Sequence, residues 1–263
     1  MADTGTDAFL SAVKAGDLDR VRQMLAENAD LLFAEDDHYG SPVMAATDLH
    51  PGVADYLARV ELVRIREGSV PPNKLYGAIH DLGEAAHSTT GYAGCERLRT
   101  EAEPTIAGFL DHREPQLRYI ALNVLSFHWD LKPYVETFLW VASTDPAEDV
   151  RDMALSGAAY LARGSQHPKV TRALLQVLRD PTKDATARKS GYNDLREVWE
   201  GFDAAFRIYQ LTLGKELALR DAAKERGDLE SELEDARQRL WDESIDWGFV
   251  ESVERKLEEI TPK

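Results

Sequence analysis

Three arginines set the tightest constraint on what this chain can fold into: Arg118, Arg151 and Arg188 lie 33 and 37 residues apart. Asp145-Pro146 and Asp180-Pro181 recur at a spacing of 35, and alanines stand three positions after two of the arginines, Ala121 and Ala154. Self-similarity at a period of about 20–50 residues marks a chain built from stacked supersecondary units, each unable to bury its apolar face alone. Apolar residues recur at helical spacing along the chain, while period-two alternation and β-branched runs are scarce. The expected fold class is therefore all-α.

The repeating segments are 104–125, 134–162 and 168–195, each reading as a helix, a short turn and a second helix. Val150-Arg151 with Ala154, after Asp145-Pro146, resembles the HEAT-repeat family. Its helix pairs carry an Asp-Pro turn, a Val-Arg near the start of the second helix and a small residue one turn on. In the third segment Ala187-Arg188 replaces Val-Arg and Gly191 replaces the alanine. This resemblance spans residues 73–195 and implies an α-solenoid of stacked helical pairs. Nearer the start, Phe9, Leu10 and Val13 share one helical face, Gly16-Asp17 breaks the pattern with Asp17 placed as an N-cap, and Val21, Met24 and Leu25 share another. The stretch AVKAGDLDRVRQMLAENADLL resembles an ankyrin repeat, and DDHYGSPVMAAT resembles the opening of a second. There Gly40-Ser41-Pro42 is one residue shorter than the usual Gly-x-Thr-Pro.

Three regions follow: ankyrin-like repeats at 1–67, HEAT-like repeats at 73–195, and a capping helix with a charged helical extension at 196–263. Gly68 to Pro72 cannot continue a helix, and Asn73 is expected to cap the helix carrying Leu75, Ile79 and Leu82. The Gly- and Thr-rich stretch 87–94 is a candidate functional loop. Leu195, Val198, Trp199, Phe202, Ala205, Phe206 and Tyr209 are expected to form one apolar face that covers the last repeat. The aromatic cluster Trp241, Ile245, Trp247, Phe249 and Val250 is expected to dock back onto the domain.

Charge speaks to the class of partner. Lys plus Arg total 31 and Asp plus Glu 47, a net charge of −16. Residues 1–60 hold 11 acids and 4 bases, and residues 195–263 hold 18 acids and 11 bases. Such a field repels polyanions and favours a basic protein partner. Residues 161–190 run against it, with Arg163, Lys169, Arg172, Arg179, Lys183, Arg188 and Lys189 against Asp180 and Asp184. They could bind an anion or pair with the chain's own acidic ends. No run reaches the roughly 18 apolar residues of a membrane span, the Met1–Asp7 stretch is polar and acidic, and Cys95 is the lone cysteine. A cytoplasmic protein is expected.

Motifs for chemistry are missing. There is no His-Glu-x-x-His, no phosphate-binding glycine loop and no Gly-x-Ser-x-Gly elbow, and Cys95 has no defining partner. None of the seven histidines precedes a glutamate, unlike the repeated His-Glu pairs of the HEAT-repeat deoxyhypusine hydroxylases. His80 and His87 could share a helix face, but Gly83 and the following loop speak against it, so neither a metal nor a cofactor is expected. Phe127, His128, Trp129 and Asp130 form the one cluster resembling the lesion-side aromatics and acid of the HEAT-like alkylpurine DNA glycosylases. A HEAT-repeat chromophore lyase is a further alternative.

The leading expectation is a non-enzymatic protein-binding module: an adaptor, assembly factor or bacterial immunity or antitoxin-like protein. Arg118, Arg151 and Arg188 are expected to form a structural ladder inside the repeats. Tyr119, Asn123, Asp152, Ser156, Lys189 and Asn193 follow them at one and five positions. Residues i and i+4 share a helix face, so these six are expected to line the concave groove and bind the partner.

Overall fold

The computed structural model describes residues 4–47, 49–87, 94–226 and 230–260. The fold is all-α, and the sole strand-like pairing among the described residues is an isolated bridge between Asp36 and Gly40. Among the described residues no helix is long and apolar enough to cross a membrane. The chain divides into two compact units, 1–131 and 132–263. That boundary falls inside the 73–195 segment.

The first unit contains α1 (Thr4–Lys14), α2 (Leu18–Glu27), α3 (Pro42–Thr47), α4 (Pro51–Arg66), α5 (Leu75–Ala85), α6 (Cys95–Ala107) and α7 (Pro115–Asn123). Helices pack in sequence order, α1 on α2 and α3, α4 on α3, α5 and α6, and α5 on α7. This order is compatible with a helical-repeat fold. The α1–α2 turn forms because Gly16 takes φ +73°, open to glycine at little cost, and Asp17 accepts from Arg20 N at 3.0 Å as the α2 N-cap. Asp36 closes the 36–40 turn by accepting from His38 N and Tyr39 N, and Lys14 lies 2.5 Å from its carboxylate. The Lys14 contact leads in holding Asp36 down to about 2. Asn73 does not cap α5: it sits in a 3₁₀ turn, Pro72–Lys74, that runs straight into the helix. The core gathers Phe9, Val13, Leu32, Leu57, Ile79, Leu82, Leu98, Ile106 and Ile120.

The second unit contains α8 (Val135–Thr144), α9 (Glu148–Leu161), α10 (Pro168–Arg179), α11 (Ala185–Glu200), α12 (Phe202–Arg226), α13 (Glu230–Glu243) and α14 (Trp247–Ile260). Here too neighbours in sequence pack together, and α11 lies against α9, α10, α12 and α13. Small residues Ala154, Gly157 and Ala158 are buried on α9, where a larger side chain would hold helices apart. α14 docks on α10 and buries Val250 and Val253. The expected continuous face from Leu195 to Tyr209 is interrupted, because Gly201 adopts φ +83° and ends α11. Leu195, Val198 and Trp199 are buried, whereas Phe202 and Phe206 stack on each other in the open. The candidate loop at 87–94 lies, at 88–93, outside the described residues.

The recurring turns share one hydrogen-bond scheme. Asp145 Oδ1 accepts from Ala147 N at 2.9 Å, Asp180 Oδ1 accepts from Thr182 N at 2.8 Å, and His112 Nδ1 accepts from Glu114 N at 3.1 Å in the corresponding place. An arginine on the following helix then returns to the same turn. Arg118 donates to the carbonyls of His112 and Arg113 at 2.7 and 3.1 Å, and Arg151 to those of Asp145 and Pro146 at 2.8 and 3.2 Å. Arg188 donates to the Lys183 carbonyl and adds a bidentate pair with Asp242 of α13. These carbonyls have no intrahelical donor, so the guanidinium satisfies groups that water or strain would otherwise carry. Arg151→Ala is expected to lower unfolding stability by about 1–3 kcal/mol, read by urea denaturation. Arg151→Lys should recover little of the loss, since an ammonium lacks the planar fork that spans two carbonyls.

Candidate functional site

α11 carries the features of the second unit most suited to recognition. Its N-cap, Asp184, accepts from Ala187 N at 2.8 Å and fixes the helix start. From there Thr186, Ser190 and Asp194 run along one side, each four residues from the last. Across from them on α9 stand Asp152 and Ser156. The two sets enclose a depression of 300 Å³ lined by Asp152, Ser156, Asp184, Thr186, Ser190 and Asp194, with Gly191 and Val177 among its walls. A Cβ at Gly191 would lie in van der Waals contact with Val177, at 3.4 Å.

The electrostatics of this depression are one-sided. Three carboxyls face it. Ser156 Oγ donates to Asp194 Oδ2 at 2.9 Å, but burial outweighs that bond and, with Glu197 nearby, pushes the Asp194 carboxyl up to about 7. Burial also raises Asp152, with Lys183 pulling the other way. Lys183 is itself engaged with Glu148 at 2.8 Å. A half-buried carboxyl near neutrality beside two further acids is a poor ground state for an anion and a good one for a cation.

A second depression of 370 Å³ adjoins the first and shares Thr186 and Ser190 with it. Lys189, Asn193, Leu213, Glu216, Arg237 and Trp241 complete its lining. Lys189 is 6% exposed and lies over the Tyr192 ring, and among the described residues its Nζ has no hydrogen-bond partner. Burial, with Arg196 and Lys215, lowers it to about 8. Trp241 donates to Glu216 at 3.4 Å, and Arg237 lies over the Trp241 ring.

The six residues of the expected binding stripe therefore separate. Asp152 and Ser156 meet in the acidic depression, Lys189 and Asn193 in its neighbour. Lys189 departs from an exposed stripe, because it is buried with its ammonium over the Tyr192 ring. Tyr119 and Asn123 belong to the first unit, where Asn123 Oδ1 lies 2.9 Å from His128 Nε2. Asp184, Ser190 and Asp194 were missed by sequence reasoning. Stepping four residues along α11 from Thr186, two positions after its N-cap, reaches the latter two.

Of the residues behind the nucleic-acid alternative, Trp129 points inward and four cations are paired with acids. Trp129 is 1% exposed and donates to the Gly83 carbonyl at 3.3 Å, so its ring offers no face to a base. Four cations of the basic stretch pair with acids of their own unit: Lys169 with Glu136, Lys183 with Glu148, Arg179 with Glu254 and Arg188 with Asp242. Two of those acids belong to the acidic C-terminal segment. No family model, curated protein or solved structure matches the chain.

The Asp194 carboxyl yields a stability prediction with a defined sign. Its folded value of about 7 lies above its ordinary 3.8. The folded state thus binds the proton more tightly than the unfolded one, and the contribution to stability is lost as pH rises from about 4 to about 7. Asp194→Asn removes that loss while keeping an acceptor for Ser156. It should match wild type near pH 4 and exceed it at pH 8 by roughly 1–3 kcal/mol, the ceiling being reduced by residual solvent screening. Thermal unfolding of both proteins across that range checks it.

Proposed function

We propose that the chain is a non-enzymatic, acidic helical-repeat module that holds a basic protein partner. Such a protein would be an adaptor, an assembly factor or an immunity or antitoxin-like protein, working in the cytoplasm. The recurring turn with its returning arginine supports a HEAT-like character for 104–195. The α1–α2 pair, the Asp36–Gly40 bridge and the α3–α4 pair support an ankyrin-like one for the start.

One observation carries the reading: the depression into which Asp152, Asp184 and Asp194 converge. A lysine or arginine side chain entering it would neutralise desolvated carboxylates and find Ser156, Thr186 and Ser190 as further acceptors. Opposite charge also steers encounter, and a net charge of −16 extends that effect beyond the site. A polyanion would meet the reverse field, and the buried Trp129 and paired cations of 163–188 give it no purchase.

The test uses the full chain with a photo-crosslinking residue at the exposed position 190, together with titration of fluorescent Arg- and Lys-bearing peptides. Crosslinks to a protein and peptide affinity that falls with salt are expected. Asp152→Asn with Asp194→Asn should weaken binding by at least about tenfold. Affinity should also fall as pH drops below about 7, because the incoming cation must then displace the Asp194 proton. Crosslinks to nucleic acid, or equal affinity in the double variant, would overturn the proposal.

A further inference from the structure

The first unit brings together side chains that lie far apart in sequence. His80 and Glu84 stand four residues apart on α5, hence on one face. His128 arrives from the end of a π-helical turn, Val124–His128, that continues α7. Donor atoms of His80, Glu84 and His128 all lie within 4.8 Å of one another. Glu84 Oε1 is 3.4 Å from His128 Nδ1 and 3.9 Å from His80 Nε2.

The His128 imidazole is turned so that its inner nitrogen is free to donate electrons. His128 Nε2 lies 2.9 Å from Asn123 Oδ1, an acceptor, so this nitrogen carries the proton and Nδ1 keeps its lone pair. Among the described residues that buried Nδ1 has no hydrogen-bond partner. Two electron-pair donors, the Nδ1 lone pair and a glutamate oxygen, thus face each other across 3.4 Å. A cation held between them, a metal ion or a proton, relieves that arrangement. His80 lies between two carboxylates, its Nδ1 3.9 Å from the buried Asp81 and its Nε2 3.9 Å from Glu84. Acceptors behind metal-bound imidazoles fix tautomer and ring angle in the same way.

The backbone is shaped for this approach. Trp129 N reaches the Val124 carbonyl five residues back at 3.0 Å, which swings His128 out of ordinary helical register. Gly83 makes room for it, since a Cβ there would lie 2.8 Å from Val124 and 3.3 Å from the His128 ring. The Trp129–Gly83 hydrogen bond ties the two elements together. His80 and Glu84 remain partly exposed, so an ion has a way in and solvent can complete its coordination. A tetrahedral ion with bonds of about 2.0–2.1 Å sets its donors about 3.3 Å apart, within reach of the observed spacing by side-chain rotation.

We propose that His80, Glu84 and His128 bind a divalent first-row transition-metal ion of the zinc class, with Asn123 and Asp81 as positioning residues. Two imidazoles and one carboxylate suit this class and not magnesium or calcium, which take oxygen ligands. The site lies wholly in the 1–131 unit and is independent of the acidic depression.

The experiment is calorimetric titration of the full chain with Zn²⁺, and with Co²⁺ for its visible absorption. One equivalent is expected to bind, with the melting temperature rising as metal is added. His80→Gln and Glu84→Gln, both at partly exposed positions, should lose at least about 100-fold in affinity while keeping the wild-type helical circular dichroism. Asn123→Ala should lose about 10–100-fold through the freed ring. His38→Gln and His167→Gln should bind as wild type. A nitrogen-15 spectrum should place the His128 proton on Nε2. Equal Zn²⁺ affinity in His80→Gln and Glu84→Gln, absence of one-equivalent binding in wild type, or a proton on His128 Nδ1 would each overturn the proposal.

Discussion

The return of an arginine to the turn before its own helix is the contact on which the rest of the described architecture hangs. A helix pair leaves carbonyls at the end of its first helix without donors, and repetition multiplies the number left over. A guanidinium reaching back five or six residues satisfies one or two of them and ties the second helix to the turn before it. Arg118, Arg151 and Arg188 do so from different sequence contexts, with His112 standing in for aspartate in the first case. The ring nitrogen serves because the turn needs an acceptor two residues ahead of an amide, and an imidazole supplies one as well as a carboxylate does.

Arg188 extends this role to a second level. After closing its own turn it holds Asp242, and Arg179 holds Glu254, so the C-terminal helices are fastened by the charges that make residues 161–190 basic. Four of the seven cations of that stretch are thereby paired with acids of the same unit. Remaining on the α9–α11 side are carboxyls with no such partner, Asp152 and Asp194 among them. Holding Asp194 half-buried costs stability near neutral pH, and a fold does not keep such a group for strength. A raised carboxyl beside other acids is a common signature of a place built to meet a cation.

Much of the fold was legible because its signals are local. Helical spacing marked the helices, Asp17 its cap, and the repeated Asp-Pro and arginine the turns, all within a few residues of what they control. Two glycines were misjudged for the same reason. Gly83 reads as a break, yet α5 runs through it, since its lack of a side chain serves a neighbour 41 residues on at Val124. Gly201 reads as one residue of a continuous apolar face, yet its positive φ ends the helix and leaves Phe202 and Phe206 outside. Asn123 shows the limit most clearly. Its spacing from Arg118 assigns it to a surface stripe, while its carbonyl orients a histidine.

The histidine cluster also explains a local cost. A π-helical turn gives up regular hydrogen-bond geometry and survives where something else repays it. At Val124–His128 the turn also carries Trp129 into the core, where it donates to the Gly83 carbonyl. What the extra residue changes is the direction of His128, which it carries under Gly83 and toward Glu84. Conflict between a local rule and the built structure concentrates where a fold serves a purpose other than its own stability. Here three departures coincide in a few ångströms: a π turn, a mid-helix glycine and a buried imidazole whose lone pair faces a carboxylate. The proposed metal ion would bind where the three meet.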